Sequence, residues 1–169
     1  MIKYLYDAVA FQEVPNETTL CLCITNCRFC CSGCHSPELQ DDAGFNLERD
    51  LPSLISKYEG ITCVCFMGDG NDLDALDRCL HFIRNEHPEL KTALYTGMDD
   101  SYDEVYWYIM SGLLDYIKIG RYIDELGGLN SPTTNQRMYR IIDAGKELED
   151  ITYMFQKGYH NERNNQICL

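Results

Sequence analysis

The chain alternates short apolar runs with amphipathic stretches. Four runs read as β-strands: "TLCLCIT" (Thr19–Thr25), "ITCVCF" (Ile61–Phe66), "KTALYT" (Lys91–Thr96) and "DYIKIG" (Asp115–Gly120). Each is short, rich in β-branched or aromatic residues, and bounded by turn-forming residues. Between them the apolar spacing becomes that of a helix. Leu47, Leu51, Leu54, Ile55 and Tyr58 share one helical face, and Leu73, Leu76, Leu80 and Ile83 share another. Asn71 is placed to cap the second helix; Ser101, with Asp99 and Asp100 as rivals, is placed to cap the next. Pro52 belongs near the first turn of a helix, which sets the expected start of the first helix at Asp50.

Strand–helix alternation predicts an α/β fold with parallel strands and right-handed crossovers. At 169 residues the chain is too short for a closed eight-fold barrel, which takes about 250. A partial, open (β/α) barrel or an open sheet remains. Ligands of both collect at the C-terminal ends of the strands. Four loops follow the four strands: the cysteine-rich stretch, "MGDGND", "TGMDD" and "GRYIDELGG". All four are therefore expected on one edge. A single domain over residues 1–169 is expected, with a polar tail from about 157.

Composition narrows the setting. The hydrophobic fraction is 45% and the charged fraction 24%, ordinary for a globular chain. No apolar run approaches a membrane span, and "MIKYLYDAVAFQE" lacks the layout of a secretory signal. A cytoplasmic location is the expectation. The net charge of −13 opposes nucleic-acid binding, which depends on neutralising phosphates. It suits solubility or docking to a basic protein partner.

The ten cysteines change the picture most. A reducing compartment argues against disulfides, so clustered thiols point to a metal or redox site. Cys21 with Cys23, and Cys63 with Cys65, sit two apart on expected strands and read as small apolar core residues. The stretch from Cys21 to Cys34 contains the C-x3-C-x2-C spacing twice, as Cys23, Cys27, Cys30 and as Cys27, Cys31, Cys34. Cys23 lies inside a strand, where its thiol points into a sheet face. Cys27, Cys31 and Cys34 lie beyond the strand end in one loop that can wrap a cluster, which leaves Cys30 over. Gly33 allows a tight backbone beside the last thiol, and "HSPELQ" follows with Ser36 as a cap and Pro37 at a first helical position. Structural zinc and electron-transfer clusters normally take four protein ligands. Three thiolates on a 4Fe–4S cube leave one iron open to a small molecule. Zinc with His35 or another cysteine as fourth ligand is the competing reading.

The Cys27, Cys31, Cys34 motif after a strand resembles the radical S-adenosylmethionine superfamily. "ITNCRFCCSGCHSPELQ", "KTALYTG", "DYIKIGRYIDELGGL" and "SPTTNQRMYRI" look like the activating proteins of anaerobic ribonucleoside-triphosphate reductase, over roughly residues 1–142. The resemblance implies a 4Fe–4S cluster held by those three cysteines, S-adenosylmethionine as cosubstrate, and an external one-electron reductant. It also implies the reaction. The sulfonium is cleaved reductively to methionine and a 5′-deoxyadenosyl radical, which takes a hydrogen from one glycine of the partner reductase.

Carried onto this chain, His35 falls where the family often has an aromatic side chain near the adenine. "FMGDG" stands where the family has a Gly-Gly-acid turn that receives the methionyl amino group. Gly68 fits a glycine, Asp69 is an acid one place early, Gly70 falls at the acid position, and Asp72 is a substitute. Thr96 is a candidate hydroxyl contact, and Lys118 and Arg121 are candidate partners for the methionyl carboxylate. "TTNQR" is a family segment with no assigned contact. Two other readings stand beside the activase: a small radical enzyme acting on a free metabolite, and a non-catalytic zinc or iron–sulfur module.

Overall fold

The computed structural model describes residues 1–156. They form an α/β fold around one eight-stranded mixed sheet, which is not closed. The strands are β1 (Lys3–Ala10), β2 (Thr19–Ile24), β3 (Phe45–Asn46), β4 (Cys63–Met67), β5 (Lys91–Tyr95), β6 (Tyr116–Ile119), β7 (Arg137–Ile142) and β8 (Glu147–Asp150). Their order across the sheet is β3-β1-β2-β4-β5-β6-β7-β8. The four expected strands are the central β2, β4, β5 and β6, and they are parallel. The outer strands are antiparallel additions. β1 pairs with β2 and β3, and β7 pairs with β6 and β8. An all-parallel sheet was the expectation, so the two edges are a correction.

Alternation along the central strands sorts their side chains onto two faces. Leu20, Leu22, Ile24, Val64, Phe66, Leu94 and Ile117 pack into the larger core. That core also holds the apolar stripes of α1 (Leu47–Lys57), α2 (Leu73–Glu86) and α3 (Asp103–Met110). On the other face lie Cys21, Cys63, Cys65, Ala93, Tyr116 and Met138, with Val14, Leu129, Met154 and Phe155 packed over them. Among the described residues no α-helix packs on this face. The β1–β2 connection and the segment after β8 cover part of it instead. The small thiols leave room above that face, whereas the branched residues on the other face meet helices.

Helix starts depart from expectation in three places. α1 begins at Leu47, because the Asn46 side chain accepts from Arg49 N at 3.0 Å and supplies a cap. Pro52 therefore sits inside the helix, at an exposed position where water can serve the carbonyl that loses its helical partner. Asp72, not Asn71, caps α2 by accepting from Ala75 N at 3.0 Å. Before α3, Asp99 spends its carboxylate on the backbone and hydroxyl of Ser101, and the helix begins later, at Asp103, without a side-chain cap. Residues 37–40 form a short 3-10 turn with Pro37 first, and Ser36 makes no side-chain cap. Among the described residues no helix is long and apolar enough to cross a membrane. The expected polar tail lies outside the described residues.

Candidate functional site

Parallel pairing of β2, β4, β5 and β6 puts their C-terminal ends on one edge. A cavity of about 780 Å³ opens there, within the range of ligand pockets. Each of the four loops lines it. Cys27, Cys31, Cys34 and His35 come from the loop after β2, Gly68 from that after β4, Thr96 and Gly97 from that after β5, and Arg121 and Tyr122 from that after β6. Cys23 and Met67 extend the lining onto the inner sheet face. Cys30 does not line the cavity. Its backbone has a positive φ of 44°, and its exposed thiol turns to the Cys27 carbonyl at 3.6 Å.

The thiols divide by environment. Cys21, Cys63 and Cys65 are buried in the inner face. Burial pushes Cys21 up to about 12 and Cys63 and Cys65 well above the usual thiol range. Such thiols stay protonated and inert. This agrees with their reading as small core residues. The three loop thiols are partly exposed and face a cavity.

The thiol-bearing loop is clamped from two sides. Thr25 and Cys27 donate backbone bonds to Lys3 and Leu39, and Asn26 donates to Asp41. Phe29 packs its ring against Gly97, where a Cβ would stand 2.5 Å from a ring carbon. The Arg28 and Arg121 guanidiniums lie over the same ring, at 5.3 and 5.7 Å from its centroid. On the other flank His35 meets Tyr122 with ring centroids 4.7 Å apart, and Tyr122 donates to Asp124 at 3.0 Å. Gly33, at φ +70°, leaves space that a Cβ would contest with the Asp124 carboxylate.

Lys118 is 8% exposed, on the inner face of β6. Its ammonium donates to the Gly120 carbonyl at 2.6 Å. Desolvation lowers its pKa to about 8, against the attraction of Cys31, Asp69, Cys27 and Cys34. It is a buried cation beside the loop thiols, not a surface charge. Asp69 is 1% exposed and does not line the cavity. Its Oδ2 accepts from Thr96 at 2.9 Å and from Arg28 at 3.5 Å, while Oδ1 has no hydrogen-bond partner among the described residues. Burial raises its pKa, with the Thr96 bond and the Arg28 charge opposing. Asp72 stands apart: it does not line the cavity, caps α2 and pairs with the Met1 ammonium.

The "NQR" segment acquires contacts that its sequence did not disclose. Asn135 donates to the Arg121 carbonyl at 3.0 Å, and Gln136 donates to the Gly120 carbonyl at 3.2 Å. Both side chains thus fix the loop after β6. Arg137 serves the carbonyls of Thr134 and Gln136. Phe29, Tyr122, Glu13 and the residues Met154–Gln156 also line or frame the cavity and had no spacing signal. The alternating "RMYRII" following "NQR" was the one available hint of β7.

Among the described residues no three His, Cys, Asp or Glu side chains are set to hold a single metal ion. The loop thiols Cys27, Cys31 and Cys34 share the cavity lining with Cys23 and the buried Lys118. Comparisons with protein-family models, curated proteins and solved structures each give no match.

Proposed function

We propose that the chain is a radical S-adenosylmethionine activase that generates a glycyl radical on anaerobic ribonucleoside-triphosphate reductase. The observation that carries the reading is the convergence of Cys27, Cys31 and Cys34 on one cavity with all four strand-end loops, while Cys30 is excluded from it. A 4Fe–4S cluster bound there supplies the electron that cleaves S-adenosylmethionine, given an external one-electron reductant. The fold is read accordingly as a partial, open barrel of the radical S-adenosylmethionine type, built on the parallel β2-β4-β5-β6 core.

The chain's own residues bind and orient. Cys27, Cys31 and Cys34 are the cluster ligands, placed by the Phe29–Gly97 contact and the His35–Tyr122 pair. Lys118 and Arg121 are the cations for the methionyl carboxylate, and Thr96 and the Gly68 backbone offer polar contacts beside it. Asp69 acts through Thr96 and Arg28, which it holds from behind. His35 and Tyr122 form the aromatic wall suited to a purine face.

Anaerobic reconstitution with iron and sulfide, followed by reduction and addition of S-adenosylmethionine, should yield 5′-deoxyadenosine. Addition of the reductase should then yield a glycyl radical doublet by electron paramagnetic resonance. Deoxyadenosine without a radical on the reductase would favour a small-metabolite enzyme. Uptake of zinc in place of iron and sulfide would favour a structural metal module.

A further inference from the structure

The cavity continues past the thiols onto the inner sheet face, where the β1–β2 connection lies over the strands. Val14 anchors that connection, fully buried among Cys21, Cys63, Cys65 and Tyr116. The Tyr95 hydroxyl donates to the Glu13 carbonyl, which fixes the backbone at that point. Phe11, Gln12, Glu13 and Pro15 are thereby presented to the cavity, and the segment after β8 adds Met154 and Phe155.

Glu13 is the only carboxylate among the described residues that line this cavity. Its side chain has no hydrogen bond or ion pair among the described residues, and burial raises its pKa. A half-buried carboxyl without a partner is costly unless something arrives to pair with it. Near it in sequence stands Gln12, and Asn130 lines the cavity beside Leu129, which packs on the same inner face. Neither carboxamide has a side-chain partner among the described residues. Carboxamides both donate and accept, as peptide groups do, and the apolar lining of Phe11, Pro15, Leu129, Met154 and Phe155 suits an uncharged chain.

We propose that this part of the cavity is a subsite for the polypeptide backbone of the protein substrate, in which the Glu13 carboxyl accepts a backbone N–H and Gln12 and Asn130 pair with neighbouring peptide groups. The inference rests on the activase reading and adds the residues that recognise the substrate loop. A free metabolite would leave this wall unused.

The test is the affinity of anaerobic ribonucleoside-triphosphate reductase for the reconstituted protein with S-adenosylmethionine bound, measured by calorimetry for four chains. Relative to wild type, Glu13→Ala should weaken binding about tenfold, and Glu13→Gln, which keeps an acceptor oxygen, should recover most of it. Gln12→Ala with Asn130→Ala, both at exposed positions, should weaken it severalfold and keeps the test open should Glu13→Ala fail to fold. Unchanged affinity in Glu13→Ala, or in the carboxamide double variant, overturns the subsite. Equal losses in Glu13→Ala and Glu13→Gln that vanish at high salt overturn it in favour of a cationic side chain. Absence of binding by wild type defeats the activase reading itself, and the subsite with it, whereas intact wild-type binding with insensitive variants defeats the subsite alone.

Discussion

Gly97→Ala isolates the packing that places the thiol loop. The added Cβ would lie 2.5, 2.6 and 2.9 Å from three ring atoms of Phe29. Carbon atoms rest at about 3.5–4.0 Å, so the ring must retreat by roughly 1 Å. Gly97 has no positive φ, so the backbone itself accepts alanine and the strain is confined to the contact. Phe29 sits between Cys27 and Cys31 in the chain, so its retreat drags the loop. Overpacking of this size costs about 1–3 kcal/mol. For a chain of this length that is a fall in melting temperature of about 2–12 °C. Differential scanning fluorimetry of the metal-free protein reads the stability, and visible absorption after anaerobic iron and sulfide loading reads the site. Both should fall in Gly97→Ala. Phe29→Leu in the same chain should restore part of each, because a smaller side chain removes the clash and the two sites are in contact. Unchanged stability and iron uptake in Gly97→Ala, or no recovery in the double variant, would refute the claim that this contact sets the loop.

Cys27→Ala, Cys31→Ala and Cys34→Ala should each lose the iron–sulfur chromophore while Cys23→Ala and Cys30→Ala keep it; loss in Cys30→Ala with retention in Cys31→Ala reverses the choice of triplet. Asp69→Ala should weaken S-adenosylmethionine binding by releasing Thr96 and Arg28, at about 1.5–3 kcal/mol for a charge-assisted bond, measured by equilibrium dialysis. Asp72→Ala should leave that affinity unchanged and instead cost about 0.5–2 kcal/mol of stability through the lost α2 cap, read by urea denaturation. Burial holds Lys118 at about 8 in the folded chain, below its unfolded value of about 10.4. The unfolded state therefore binds the extra proton between those values, and metal-free stability should gain from this group as pH rises from about 8 to 10. The difference between wild type and Lys118→Met against pH should show that slope, and a flat difference refutes it. With a net charge of −13, association with the reductase should weaken as salt rises if its docking patch is basic, as a salt series of the same calorimetry would show.

The centre of the fold was legible because it obeys local rules. β2, β4, β5 and β6 are short β-branched or aromatic runs, and the helices between them carry unbroken apolar stripes. From those alone the four loops fall on one edge. The edges were not legible. β1 mixes polar and apolar residues and has only the two-residue β3 on its outer side, and β7 and β8 form a small hairpin whose placement depends on β6. Capping was misjudged where two acceptors compete within two residues, as Asn71 and Asp72 do. At the site, the cysteine spacing and strand boundary separated Cys27, Cys31 and Cys34 from Cys30. The contacts of Asn135 and Gln136 were hidden because they are made across about fifteen residues to backbone carbonyls, which leave no trace in residue type. The role of Glu13 was hidden likewise: nothing in "FQEVP" says that the loop turns over the inner face.

The inner face explains why one chain uses cysteine in two opposite ways. Above β2 and β4 the sheet needs small apolar residues, so that the β1–β2 connection can enter and a cavity can persist. Cys21, Cys63 and Cys65 meet that need, and burial keeps them protonated. At the strand end the same residue type meets a cavity, the buried Lys118 and a loop held in place from both sides. The helix-covered face contributes mainly Ile24 to the cavity wall; its other branched side chains pack the sheet against the helices. Position relative to the cavity, and not cysteine content, therefore separates Cys27, Cys31 and Cys34 from the buried Cys21, Cys63 and Cys65.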